Sequence, residues 1–295
     1  MQFNSSIIDL RDPSWGFYIL PSNFYSVVTI LIVSVLSFIT IGIIAKKLKL
    51  NLFLSYSIYI WHSIFNITYV IYIYFQKGDA TKYFFRSLDE FHFLNAVGSK
   101  FVISFTAIFS QFFEFHYLSV FIIYNFIGTI GILLLVNIFI SNKLKSDYKT
   151  KLIILIVAFL PSLSFWTSAI GKDTIYFFGT SLLLWSIFNL KKNIYIKYFS
   201  LFLLFLIRPH YGFIGLASFL FFDLIVSKSN IKILYYKIFT IFVIILISPF
   251  LFDYILNFVG YYKVTDYNSF NLDGFLSFLE VRSRYELSDS YYDTS

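Results

Sequence analysis

The segment Tyr198–Val226 reads YFSLFLLFLIRPHYGFIGLASFLFFDLIV, an almost unbroken apolar run interrupted at its centre by Arg208-Pro209-His210. As one long helix it would leave Lys228 and Lys232 on the face opposite the other lysine-rich loops, against the positive-inside rule. As two short helices broken at Arg208-Pro209-His210, it returns the chain to the side it came from, and every lysine-rich loop falls on one face. Proline removes a backbone donor and disfavours helix at the residue before it. The broken form is therefore preferred. Neither half is long enough to span at full thickness, so Arg208 and His210 are expected below the outer surface, where broken helices line polar cavities.

The rest of the chain is read around this break. The runs Tyr25–Ala45, Leu52–Phe75, Leu118–Ile140 and Ile233–Phe252 are long enough to cross about 30 Å of hydrocarbon. Leu152–Ile170 and Thr174–Leu190 read as a further outward and inward pair. Phe101–Phe113 is apolar but short, which predicts a re-entrant piece or one lying on the outer interface. Lys46, Lys47 and Lys49, then Lys143, Lys145, Lys149 and Lys151, then Lys191, Lys192 and Lys197 mark the cytoplasmic side. The expected fold is all-α, a polytopic transmembrane bundle of six or seven crossings with a broken or re-entrant helix pair and an extracytoplasmic site. Residues 1–24 are read as an extracytoplasmic N-terminal segment, 25–252 as the transmembrane domain and 253–295 as an extracytoplasmic polar tail, the start of a truncated region.

Composition excludes several classes. With 58% hydrophobic and 13% charged residues the chain is far from a soluble domain, where charge is about a quarter. It has no cysteine, so disulfides and thiolate metal sites are out. The net charge of +7 is spread over short loops rather than gathered into a patch, which argues against nucleic acid as a partner.

Four polar segments then converge on the outer face: Gly78–His92, Gly171-Lys172-Asp173, Arg208-Pro209-His210, and the tail with Arg282, Arg284 and Glu286. Asp79 is suited to bind a divalent cation such as Mg or Mn, or to take a proton from a hydroxyl. Its plain alternative is a helix cap in a solvated loop, and Asp89 and Glu90 are secondary candidates. Lys172 is placed to meet an anion at the start of the next helix, while Gly171, with Asp173 or Thr174, equally reads as helix-capping chemistry. The planar fork of Arg208 suits phosphate oxygens, and His210 titrates near neutrality. The plain alternative for Arg208 is a snorkelling side chain that caps its own half-helix. Glu114 and His116 are interfacial candidates. His62, Asn66 and Asn137 are expected to make hydrogen bonds between helices.

These parts suit a lipid carrier with a phosphate head. The phosphate would meet Arg208 and Lys172, cations that stabilise a phosphate leaving group, while Asp79, Glu114 or His210 deprotonates the acceptor hydroxyl. Gly78-Asp79-Ala80-Thr81-Lys82-Tyr83 resembles the aspartate-plus-tyrosine signature after the first luminal loop of GT-C superfamily glycosyltransferases. The order Pro161, Phe165-Trp166, Gly171-Lys172-Asp173, Arg208-Pro209-His210 resembles O-antigen polymerase-like membrane proteins of bacterial surface polysaccharide assembly. The resemblance implies polyprenyl-phosphate or pyrophosphate-linked saccharides as substrates, other polysaccharide-assembly proteins as partners, and work at the outer face of a bacterial cytoplasmic membrane. Asp89-Glu90 would stand in for the second acidic residue of the GT-C pattern. Two other classes stay open: a transporter or flippase for lipid-linked oligosaccharide, and a non-catalytic membrane subunit.

Overall fold

The computed structural model describes residues 20–226 except 22, 77, 93–95, 141–147 and 189–193, together with Tyr235, Phe239 and Phe242. Most of the expected span Ile233–Phe252, the tail, the loop lysines 143, 145, 191, 192, 228 and 232 and most of the N-terminal segment lie outside them. The described residues are helical and form no strand.

Three helices are long and apolar enough to cross a membrane: α1 (Phe24–Lys47), α2 (Leu52–Phe75) and α5 (Tyr117–Ile140). Asn23 starts α1 by accepting the Ser26 amide at 2.8 Å, and Asn51 caps α2 through the Leu54 amide. Each cap satisfies a backbone donor that the helix itself leaves unpaired. The buried residues of α1 (Ser26, Thr29, Val33, Ser37, Ile41, Ala45) recur every three or four positions, so one stripe faces the bundle and the rest is exposed. In the apolar core of α5 the buried share is 67%, against 28% in α1 and 33% in α2. That makes α5 the central helix, with α1 and α2 on one side of it and α8 (Lys172–Phe188) on another.

The expected span Leu152–Ile170 is not one straight helix. It divides into α6 (Tyr148–Ala158) and α7 (Pro161–Thr167), bent by 50°. Pro161 is the cause: it opens α7, and Leu160 before it is extended at φ −65°, ψ 123°, as a residue preceding proline should be.

The break at Arg208 is present, and it is sharp. Arg208 is the one residue between α9 (Ile194–Ile207) and α10 (Pro209–Val226). Its amide donates to the Leu204 carbonyl and its own carbonyl accepts from Tyr211 and Gly212, so it closes one helix and opens the next. Pro209 occupies the first helical position, where a missing N–H costs nothing. α10 then folds back along α9, with Phe213 edge-on to Phe205 and Leu216 and Phe219 packed with Leu201 and Leu204. At Gly212 a Cβ would run into Phe205, so the hairpin closes only around glycine. Lys197 departs from its expected role as a solvent-facing loop lysine. It is buried in the hairpin, its ammonium 5.4 Å from the Phe219 ring.

Two shorter pieces close one end of the bundle: α3 (Asp79–Asp89) and α4 (Ser99–Ala107), the latter running into a π-turn at Ile108–Phe112. α3 buries Ala80, Thr81, Tyr83, Phe84, Phe85 and Ser87 and turns Lys82, Arg86 and Asp89 outward. The Gly98 amide donates to the Leu206 carbonyl at 2.7 Å, tying α4 to the end of α9. Ala80, Tyr83, Tyr117, Ile170, Ile175 and Ile207 share one apolar core, so the ends of four helices and the turn between α7 and α8 meet there. At the opposite end, Asn137 Nδ2 donates to the Leu48 carbonyl at 2.6 Å, and Asn137 Oδ1 accepts the Trp185 indole N–H at 2.8 Å. Lys46 and Lys47 lie at that end, in the last turn of α1.

Candidate functional site

The turn between α7 and α8 is set into the bundle by buried hydrogen bonds. His62 Nδ1 lies 2.6 Å from Asn125 Oδ1 and His62 Nε2 lies 2.9 Å from Thr167 Oγ1. Asn66 Nδ2 donates to the Ser168 carbonyl at 2.6 Å and also reaches the Phe121 carbonyl. His62 and Asn66 thus join α2 to α5 and α7, as the sequence suggests. Bonds of this kind between membrane helices are worth about 0.6 kcal/mol each, up to roughly 2. At Gly128 of α5 a Cβ would strike the Thr167 carbonyl and His62, so glycine lets α7 end against α5.

What this turn holds is Lys172-Asp173 at the start of α8. Asp173 Oδ1 accepts from Arg208 Nη2 at 2.7 Å, an ion pair across 35 residues. The guanidinium carbon also stands 5.6 Å from the rings of both Tyr176 and Tyr211, which lie 4.9 Å apart. An arginine set in apolar sequence needs an anion, and the protein supplies it as Asp173. The expected capping role of Asp173 gives way accordingly: Lys172 is already helical, and the Thr174 hydroxyl donates to the Ala169 carbonyl at 2.6 Å. Lys172 is part-exposed and forms no ion pair among the described residues.

Asp79 is the first residue of α3, with Gly78 in the cap position, so its carboxylate sits at the positive end of the helix dipole and in solvent. Asp79 and Asp173 both lie within electrostatic reach of the Tyr69 hydroxyl on α2. Tyr69 in turn packs on Phe165 (centroids 4.8 Å apart) and edge-on to Trp166. Through Ala80, Tyr83, Ile170, Ile175 and Ile207, which share a core with Tyr69, the segments carrying Asp79, Lys172-Asp173 and Arg208 lie at one end of the bundle. Tyr69, Tyr176 and Tyr211 escape a reading of the sequence because 24 tyrosines give no sign of which three matter.

The secondary candidates fall elsewhere. Asp89 ends α3, about 15 Å along the helix from Asp79 at 1.5 Å per residue, so it cannot share a ligand with it directly. Glu90 is taken up locally: Arg86 grips it with two bonds of 2.8 and 2.9 Å, and His92 Nε2 lies 3.0 Å away. The Arg86 bonds hold the Glu90 carboxyl below the usual carboxylate range, against the opposing effect of partial burial and with help from His92. Glu114 is exposed, in a left-handed conformation (φ 51°), at the reversal before α5. His116 Nδ1 accepts the Leu118 amide. His210 falls in the first turn of α10, and its side chain lies outside the described residues. No three His, Asp or Glu side chains among the described residues converge as a metal-binding group.

A second feature lies where α1, α2 and α5 meet. A cleft of about 630 Å³ between α1 and α2 is lined by apolar residues such as Val35, Ile67 and Ile71, with Ser63, Asn66 and Asn125 on its floor. Set against known proteins, the chain matches no family model, no curated protein and no solved structure.

Proposed function

We propose that this protein transfers or polymerises sugars carried on a polyprenyl phosphate or pyrophosphate, at the end of the bundle where Asp79, Lys172, Asp173 and Arg208 gather. The observation that supports this most is the ion pair of Arg208 with Asp173, at the same end of the bundle as the helix that Asp79 opens. Carboxylates, cations and aromatic rings at one place are the chemistry that a saccharide joined to a phosphate requires. In the reaction, the Asp79 carboxylate takes the proton of the acceptor hydroxyl, and that oxygen forms the new bond to the anomeric carbon. The bond from the anomeric carbon to the phosphate oxygen breaks, and its electron pair leaves with the phosphate. Lys172 and the N–H groups of Arg208 not used by Asp173 stabilise that charge. Asp173 orients Arg208, and His210 supports proton transfer. In this reading the site faces the extracytoplasmic side of a bacterial cytoplasmic membrane, and the acceptor and donor both arrive from that leaflet.

Removing Arg208 alone strands Asp173, so loss of product could follow from loss of fold. The test therefore compares Asp79→Ala, Arg208→Ala and the charge-balanced pair Arg208→Ala with Asp173→Ala, each at normal protein level in the membrane. All three are expected to abolish surface polysaccharide. Undiminished polysaccharide in Asp79→Ala and in the double variant would overturn the assignment.

A further inference from the structure

We infer that residues 108–113 form a membrane-docking wedge, seating Phe112 and Phe113 at the boundary between lipid headgroups and hydrocarbon. The proposal concerns a bilayer surface and is independent of the chemistry above. Phe112 is 69% and Phe113 53% exposed, beside Phe91 at 42% and Ile108 at 38%. Such a continuous aromatic edge is not a surface to leave in water. Its neighbour indicates what covers it. The Tyr25 hydroxyl donates to the Phe113 carbonyl at 3.0 Å, which joins the edge to the first turn of α1, where Phe24 is 83% and Tyr25 51% exposed. The apolar surface that a membrane-crossing α1 presents to lipid is thereby continued by Phe112 and Phe113, at the depth where aromatic residues collect.

The local backbone serves the same end. The π-turn at Ile108–Phe112 adds a residue to the turn of α4 and re-aims the side chains that follow it. The Phe115 amide then closes onto the Phe109 carbonyl at 2.9 Å, and the left-handed Glu114 reverses the chain into α5. Phe109, Phe113 and Phe115 stack on one another, so the tip is a preformed aromatic block. Its polar side is committed inward: Ser110 Oγ lies 2.9 Å from Ser87 Oγ, and Gln111 Nε2 donates to the Ser87 carbonyl at 2.8 Å. Ser87 belongs to α3, whose first residue is Asp79. Docking of the wedge therefore sets the height of α3, and of Asp79, above the bilayer.

Single cysteines at Phe112, Phe113, Asp89 and Ile67 carry a nitroxide label in nanodiscs of phosphatidylcholine and phosphatidylglycerol. Collision rates are then measured with oxygen, which concentrates in hydrocarbon, and with a water-soluble nickel chelate. Labels at 112 and 113 are expected to favour oxygen, as the label at 67 on the exposed side of α2 should, while 89 favours nickel. Nickel-favoured labels at 112 and 113 would overturn the wedge. So would labels shielded from both reagents, which would place a protein partner or a second copy on the edge instead. Phe112→Trp gives a check that leaves the aromatic edge intact: brominated acyl chains should quench its added emission, and no quenching beyond that of the wild-type tryptophans overturns the proposal.

Discussion

Glu90 illustrates how a charged residue can attract notice in the sequence and yet be fully occupied in the structure. Its carboxylate lies four residues beyond Arg86, on the residue that caps the end of α3, so the two meet as neighbours, and His92 completes the group. Because the Glu90 carboxyl is held below its ordinary value, it contributes stability that is present above about pH 4.3, the usual carboxylate value. That contribution is lost as the pH falls through the lower, folded value. Protection of the amides in the last turn of α3, taken relative to the intrinsic exchange rate at each pH, should therefore fall below about pH 4, whereas Glu90→Gln should be less protected already at pH 6 and change little in protection on acidification. A wild-type profile as flat as that of the variant would refute the argument. The spacing of this pair is written in the sequence, where Glu90 nonetheless suggests a site carboxylate. The Arg208–Asp173 pair is not so written: the need of Arg208 for an anion is plain from its apolar flanks, but 35 residues separate it from the carboxylate that answers it.

At the scale of elements, length and hydropathy reveal α1, α2 and α5 almost to their ends, because an uninterrupted apolar run admits few alternatives to a membrane helix. Proline is harder to weigh. Pro209 stands out through its charged neighbour, while Pro161 sits in a bland apolar run and bends the Leu152–Ile170 stretch by 50°. The contact of α5 with α7 is also invisible in advance, since it depends on Gly128 meeting a backbone carbonyl. Gly128→Ala should cost about 1–3 kcal/mol, the range for forcing extra volume into a packed core. The Thr167 carbonyl cannot rotate away as a side-chain tip would. Thermal unfolding in detergent measures the loss, and Ser63→Ala, on the cleft side of α2, should be milder. Equal stability of Gly128→Ala and wild type would show that the helices have room that the geometry denies them.

For the whole molecule, the arrangement of charge along the bundle is the feature that sequence and structure share. Asp79, Lys172 and Arg208 collect at one end, and Lys46, Lys47 and Lys49 lie at the other. Absence of native cysteine makes this directly testable. Single cysteines at Asp79, Lys172 and His210 should react with an impermeant maleimide from one side of sealed vesicles, and a cysteine at Lys145 only after they are opened. Labelling of Asp79 and His210 from opposite sides would split the site across the membrane and favour transport over transfer.

The pairing of Arg208 with Asp173 has an electrical consequence. Moving one elementary charge through a membrane potential is worth about 2.3 kcal/mol per 100 mV, so a lone guanidinium near the bundle end would be pulled by every change in voltage. Joined to a carboxylate 2.7 Å away, it carries no net charge. The field can tilt such a pair but does little work in displacing it. The tie between α8 and the α9–α10 break is thus insulated from the energised state of the membrane around it.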